Sequence, residues 1–245
     1  MTETSLVELT VTSSRLLPAG AEIPAHRHRG NQIVYASHGV LAVDTDAGSW
    51  VAPASSAIWV PAGVLHGHRA YGVTAFHTVA LERRANPLRL AEPTVLEVSP
   101  LLREVLIAYT ASDSDRRRAR LRPVLMDELR PSPQPALWLP TPRDSRLAAV
   151  CGLLAGNPAD QRSLATLARA AGVGQRTLTR LFAEEFGMSF PQWRTQLRLH
   201  LALRLLAEGQ SVTATGHRCG WSSTSAFVDV FHRHMGYTPG GRAPR

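Results

Sequence analysis

The stretch SLATLARAAGVGQRTLTRLFAEEF, residues 163–186, holds two helical periods separated by a glycine turn. The Ser163 hydroxyl can accept from the unpaired amides of a first helical turn, which predicts a helix over Leu164 to Ala171. Gly172 then ends it. A second helix is expected over Gln175 to Phe186, burying Leu178, Leu181 and Phe182 and exposing Arg176, Thr177, Thr179 and Arg180. A short helix, a Gly-containing turn and a second helix with exposed arginines form a helix-turn-helix pattern.

Downstream, Trp193, Leu197, Leu201 and Leu205 recur four apart within Phe190 to Ala207, which predicts one long helix. The first pattern then returns. Ser211 to Arg218, the turn Cys219-Gly220-Trp221 and Ser223 to His234 repeat it, with Phe227 and Phe231 standing where Leu178 and Phe182 stand, so the region duplicates one supersecondary element. Upstream, Arg146 to Leu154 has helical spacing. Arg130 to Pro142 contains five prolines, which reads as a stiff extended linker and a domain boundary.

The N-terminal half follows a different rule. From Leu6 to about Leu81 it reads as short β segments, such as Gln32 to Tyr35, Val40 to Val43 and Ala57 to Val60, punctuated by Pro and Gly. From Ser99 the period becomes helical: Leu101, Leu102, Val105, Leu106 and Tyr109, then Leu121, Val124, Leu125 and Leu129. The fold class is therefore α+β in two domains. The spans are a barrel over 1–95, a helical segment over 96–130, a Pro-rich linker over 131–142 and an all-α domain over 143–245 in which a long helix joins two helix-turn-helix units.

Charge and cysteine usage limit the partners. The net charge is +8 with no lysine. Residues 1–142 hold 14 Arg against 13 acids, whereas residues 143–245 hold 13 Arg against 6. Genome-driven codon bias accounts for the missing lysine but not for this clustering, and guanidinium suits phosphate oxygens and guanine edges. Cys151 and Cys219 are too few for a disulfide scaffold or a four-cysteine zinc site, and they read as buried fillers in a reducing compartment. Met1 to Leu9 is neither a signal peptide nor a span, so a cytoplasmic protein without membrane attachment is expected.

The C-terminal region, residues 143–242, resembles the AraC/XylS family of bacterial transcription regulators. The likeness is carried by Leu164-Ala165, Leu167-Ala168, Ala171-Gly172-Val173, Arg176 to Phe182, Phe186-Gly187, Arg198-Leu199, Ala202, Leu205-Leu206, Gly220 to Ser223, Ser225 to Phe227, Phe231 and Gly236 to Pro239. It departs at Gly174, where a capping Ser is usual, at Thr215-Gly216, where an apolar-Ala pair is usual, and at Gly240-Gly241-Arg242, which lacks the customary Tyr. The resemblance implies that each second helix enters a major groove. Arg176 and Arg180 would read base edges, Thr177 and Thr179 bases or phosphates, and Ser223, Thr224, Ser225, Val228, Asp229 and His232 would form the second reading face. Its implied partners are double-stranded DNA, a small-molecule effector, RNA polymerase and a second copy of the chain. The helices between Ser99 and Leu129 could pair with that copy or pack back on their own barrel, and Arg116 to Arg118 reads as a solvated helix face.

The β module, about Leu16 to Leu81, resembles a small cupin barrel. Gly20, His26, His28, Gln32 and Gly39 follow the first cupin motif, with Gln where Glu is usual, and Pro61, Gly63 and His66 follow the second, with Ala70 at its final Asn position. The resemblance implies a divalent-metal set of His26, His28, Gln32 and His66, or alternatively histidines that only line an effector pocket. Ile33, Tyr35, Trp50, Trp59 and His68 would line or cap that pocket, or equally belong to ordinary packing. Two other classes stay open: a metal-dependent cupin enzyme with an accessory DNA-binding domain, which needs a proton-transfer group beyond the four ligands, and a nucleoid-like binder with little sequence preference.

Overall fold

The computed structural model describes residues 11–132 and 137–241. Met1 to Thr10, residues 133–136 of the Pro-rich stretch and Arg242 lie outside the described residues. The chain divides into two compact units, the main division falling between Ala136 and Leu137, with Ala47–Ser49 grouped with the second.

In the first unit the spine is strand β6 (His66–Leu81), which pairs antiparallel with β1 (Ser13–Leu17), β2 (Glu22–His26) and β3 (Asn31–Thr45). The sheet path runs β1-β6-β3-β4, where β4 is Gly48–Ala52, while β5 (Ser56–Val60) pairs with β3 and β7 (Thr94–Glu97) pairs with β5. Gln32 to Tyr35 and Val40 to Val43, expected as separate segments, are the two ends of the single strand β3. That strand bends where its register shifts between Ala36 and His38 and again between His38 and Val40. Gly39 makes the bend possible. It sits at φ 79°, and a Cβ there would lie 2.5 Å from Thr74 Oγ1 and 2.7 Å from Val73 O.

The pleat sends alternate residues to opposite faces. Ile33 and Tyr35 of β3, Ala57 and Trp59 of β5 and Val79 and Leu81 of β6 share one face, and together they form the hydrophobic core with Leu102, Val105, Leu106 and Tyr109 of α1 (Pro100–Thr110) and Leu125 of α2 (Asp115–Asp127). The apolar stripe of these helices is therefore covered by the chain's own sheet, the second of the two options above. Leu101 of α1 and Val124 of α2 stay exposed, so each stripe is narrower than its spacing suggests. Ser99 caps α1 by accepting from Leu102 N at 3.0 Å. Sheet pairing continues through Glu97, beyond the barrel end expected at residue 95, because β7 forms a register of four residues with β5.

The second unit opens with a short strand, β8 (Trp138–Pro140), inside the stretch expected to be linker. The Trp138 N–H donates to Gln196 Oε1 at 2.8 Å, so this part of the proline-rich segment is held in place. Six helices follow: α3 (Ser145–Gly156), α4 (Leu164–Ala170), α5 (Gln175–Phe186), α6 (Phe190–Ala207), α7 (Val212–Arg218) and α8 (Thr224–Met235). Leu147, Val150 and Leu154 of α3, Leu167 of α4, Leu178, Phe182 and Phe186 of α5 and Trp193 and Leu197 of α6 build one core. Glu185 ties the end of α5 to the start of α3 by accepting from Arg143 N at 2.8 Å and Asp144 N at 3.1 Å. Both cysteines are buried and free, and burial pushes each thiol up to about 12. No helix among the described residues is long and apolar enough to cross a membrane.

Candidate functional site

The first helix-turn-helix forms because its ends are chemically fixed. Ser163 accepts from Thr166 N at 3.2 Å to start α4, and Gly172 at φ 66° turns the chain out of it. Gly174 occupies the N-cap of α5 without a side-chain cap, so the departure noted in the sequence leaves this start held only by backbone and packing. Leu178, Leu181, Phe182 and Phe186 face the core. Arg176, Thr179 and Arg180 are exposed on the opposite side, and Thr177 is half-buried. Thr179 Oγ1 donates to Gln175 O at 3.1 Å. Arg180 pairs with Glu184 at 2.7 Å, and both side chains are more than half exposed, so this pair holds the guanidinium only weakly. Arg176 makes no ion pair among the described residues.

Helix α6 is buried on more than one side. Trp193 and Leu197 belong to the core just described, and Leu199, Ala202, Leu203 and Leu205 are buried outside it. That is what a rod joining two units requires, and it explains why Leu201, expected in the main stripe, is only half-buried. Arg198 makes the joint. Its Nε donates to Pro158 O at 2.9 Å, its Nη2 donates to Asp160 O at 3.2 Å, and its guanidinium lies 6.0 Å from the centre of the Trp221 ring. Gln161 Nε2 in the same loop donates to Gly220 O, and Arg194 donates to Arg162 O while lying 4.3 Å over the Phe190 ring. One loop, residues 157–162, is thus pinned to α6 and to the turn of the second helix-turn-helix. The sequence marked Arg198 only as part of a family pattern; its partners are some 40 residues away and carry no local signal.

The second helix-turn-helix repeats the construction. Ser211 caps α7 by accepting from Ala214 N at 3.2 Å, Gly220 turns at φ 85°, and Ser223 caps α8 by accepting from Ala226 N at 3.1 Å. Phe227, Phe231 and Met235 point inward. A Cβ on Gly216 would lie 3.2 Å from Phe227 Cβ, so this glycine lets α7 approach α8, and close packing offsets its helix-propensity cost of about 1 kcal/mol. Ser225, Asp229 and His232 are exposed, and Thr224 and Val228 are half-buried beside them. Ser223 is exposed, but its hydroxyl serves the helix start, which limits what it can offer another molecule.

In the first unit the sheet gathers His26, His28, Gln32, His66 and His68. The rings of His26 and His66 are 4.5 Å apart, those of His28 and His66 4.8 Å, and those of His66 and His68 5.1 Å. The Nδ1–H groups of His26, His28 and His66 donate to Pro24 O, Gly30 O and Val64 O at 2.9, 2.7 and 2.9 Å. This fixes one tautomer and places each ring's lone pair on Nε2, which in His28 and His66 faces the Gln32 amide. Gln32 Oε1 lies 3.3 Å from His28 Nε2 and 3.1 Å from His66 Nε2. Burial lowers the His28 pKa, lowers that of His66 to about 4 and drives that of His68 well below its usual value, so these imidazoles are neutral at neutral pH. A cleft of about 300 Å³ opens on His66 and His68 and is rimmed by Glu22, Asp44, Asp46 and Arg69.

The residues expected to line an effector pocket therefore separate. His68 borders the cleft. Ile33, Tyr35 and Trp59 do not; they sit at 0%, 0% and 1% exposure in the core under α1 and α2, because the pleat turns them away from the histidines. The Tyr35 hydroxyl is spent on Ala54 O at 3.0 Å. Trp50 is buried as well.

The sequence matches two family models, a cupin domain over residues 14–81 and a helix-turn-helix domain over residues 167–241. It is 33% identical over 224 residues to the HTH-type transcriptional regulator NimR of Escherichia coli K12, covering 89% of this chain and 81% of that one. It is 34% identical over 104 residues to an AraC-like transcription regulator of Streptomyces antibioticus, which spans 42% of this chain and 34% of the relative. Among solved structures it is similar to the DNA-binding domain of AdpA in complex with a target DNA, at 33% identity and a TM-score of 0.37 over 38% of this chain and 86% of that one. With a relative matched along most of both chains and both domain models matched in order, the chain belongs to the AraC family of helix-turn-helix transcription regulators and carries an N-terminal cupin domain.

Proposed function

We propose that the protein acts in the cytoplasm as a sequence-specific DNA-binding regulator in which α5 and α8 enter successive major-groove segments. The observation that carries this reading is the duplicated unit. Two second helices are each anchored by buried aromatic residues, each shows a polar outer face, and both are joined through α6. Arg176 and Arg180 on α5 reach base edges, guanine being the favoured partner, with Thr177 and Thr179 at bases or phosphates. Ser223, Thr224, Ser225, Val228, Asp229 and His232 make the second face, which has less positive charge and discriminates less. Releasing Arg180 from Glu184 costs less than about 1 kcal/mol, so the exposed pair does not oppose DNA binding. A second copy of the chain and RNA polymerase are the further partners.

The cupin unit supplies the input. Its donor set fits a divalent metal: burial holds the His28 and His66 imidazoles neutral, and these two and His26 donate Nδ1–H to backbone carbonyls, the support that metal-binding histidines have. The motif residues His26, His28, Gln32 and His66 would hold such an ion, which would supply positive charge and an open coordination position to the cleft. The cleft is the place for a small-molecule effector.

Arg180→Ala tests the DNA half. It is expected to weaken specific binding by about 1 to 3 kcal/mol and to relax preference at one base position, measured by competition between selected and scrambled DNA at one salt concentration. Equal losses on both DNAs would reduce Arg180 to a phosphate contact.

A further inference from the structure

We propose that the exposed face of α2 is a further DNA contact, in which Arg116, Arg117 and Arg120 hold backbone phosphates of the duplex outside the two groove segments read by α5 and α8. The inference rests on the regulator reading above and extends DNA binding to the unit that carries the cupin domain.

Helix α2 carries five arginines against two aspartates, Asp115 and Asp127. All five fall within its first eight residues, and none stands in the last turn. A helix has partial positive charge at its N-terminus, so cations are favoured at the opposite end. Arg116 and Arg117 in the first turn therefore oppose the helix's own dipole. Arg116 with Arg120, and Arg118 with Arg122, are also like charges four residues apart, a spacing that destabilises a helix. Asp115 offsets only part of this, by pairing with Arg118 at 3.0 Å. Arg118 is further held by donating to Ser112 O. Arg116, Arg117, Arg120 and Arg122 make no ion pair among the described residues. A solvated face, the reading the sequence suggests, accounts for their exposure but not for charge set against local helix stability. Conflicts of this kind between a local rule and the residues present mark functional surfaces.

Packing leaves the face open. Leu121, Leu125 and Met126 turn toward the core under the sheet, whereas Arg116, Arg117 and Arg120 are exposed. A second copy of the chain does not fit here, because a two-fold interface brings the same patch against itself and sets arginine against arginine. The occupant is an anion presented as an extended array. Duplex DNA is such an array, with one negative charge per about 1.7 Å of its axis, and guanidinium groups suit its phosphate oxygens. It is also the anion that the same chain holds through α5 and α8, so once these are seated the encounter of α2 with flanking duplex is intramolecular. Contacts to phosphate add affinity without sequence preference.

The test uses the full chain and two DNA fragments carrying one sequence selected by the protein. The shorter has about 20 base pairs, enough for two groove segments one turn apart, and the longer adds about 20 base pairs on each side. Binding is measured from about 50 to about 200 mM salt. The unmutated protein is expected to bind the longer fragment at least about tenfold more tightly at the lower salt, with a log–log salt slope steeper by about 2 to 3. The combined variant Arg116→Gln, Arg117→Gln and Arg120→Gln should lose that gain and that extra slope. It should keep its affinity for the shorter fragment and its preference for selected over scrambled DNA. Equal losses on both fragments would overturn the flanking contact. The variant's urea midpoint should hold or rise, since repulsion has been removed; a fall would assign these arginines to folding and overturn the proposal. Arg83→Gln, Arg84→Gln and Arg89→Gln, removing the same charge from exposed positions outside α2, should change neither affinity by more than about twofold. A loss equal to that of the α2 variant would reduce the effect to net charge. Specific binding of the unmutated protein with the same affinity and slope on both fragments would remove the α2 contact, leave an acidic protein surface as the occupant and leave the regulator reading standing. Absence of specific binding to either fragment would count against that reading itself.

Discussion

Replacing Gly220 by alanine is expected to cost the second unit about 3 kcal/mol or more and to abolish specific DNA binding. Two effects add. The backbone at φ 85° is left-handed, where a side chain costs about 1 to 2 kcal/mol. The new Cβ would also stand 2.7 Å from Ala159 Cα and 2.9 Å from Arg198 Nη2. Ala159 is backbone in the loop that Arg198 and Gln161 pin, so no rotamer change relieves the clash. The turn or the loop must move, and α8 moves with the turn. Gly172→Ala is the control, since it is also left-handed at φ 66° but has no atom within 4 Å of its Cβ, and it should lose only about 1 to 2 kcal/mol. Urea denaturation of both variants separates the effects. Equal losses would show that the contact between loop and turn carries no weight.

Phe182→Ala is expected to lose about 3 to 5 kcal/mol from the same unit. The ring is fully buried and meets Phe186 at 5.6 Å, Phe190 at 5.4 Å and Trp193 at 5.6 Å, so its removal opens a cavity among three aromatic groups on α5 and α6. Phe182 also joins α5 to α6 through the Phe190 and Trp193 rings. Leu153→Ala on α3, at 42% exposure, should change the urea midpoint little by comparison. A Phe182→Ala loss below about 1 kcal/mol would mean that the cluster is not the structural centre of the unit.

The helical half was legible because its boundaries are set by local chemistry. Ser163, Ser211 and Ser223 cap helix starts, Gly172 and Gly220 turn left-handed, and the long helix spans Phe190 to Ala207 as its spacing predicts. The β half was legible in its strands and its cupin motifs but not in what covers each face. Alternation shows that Ile33 and Tyr35 share a face, but not that two later helices cover it, which is why they were expected at a pocket and lie in the core. The bend at Gly39 hides one strand as two, because a bulge interrupts the period that identifies a strand. His68 joins the histidines only once β6 is registered against β2, with Ile23 opposite His68, and nothing local in either strand specifies that register. Loop 157–162 is a further case, since its role rests on Arg198 far along the chain.

One chain is expected to read two neighbouring groove segments through two separate helices. Footprinting on a selected DNA fragment, with protein at a concentration that fills a single site, tests it most directly. Two protected segments about 34 Å apart are expected for the unmutated protein. Protection should disappear from one of them alone when Arg176 and Arg180 are both replaced by alanine. A single protected segment in the unmutated protein, or a double variant that fades evenly across both, would contradict it.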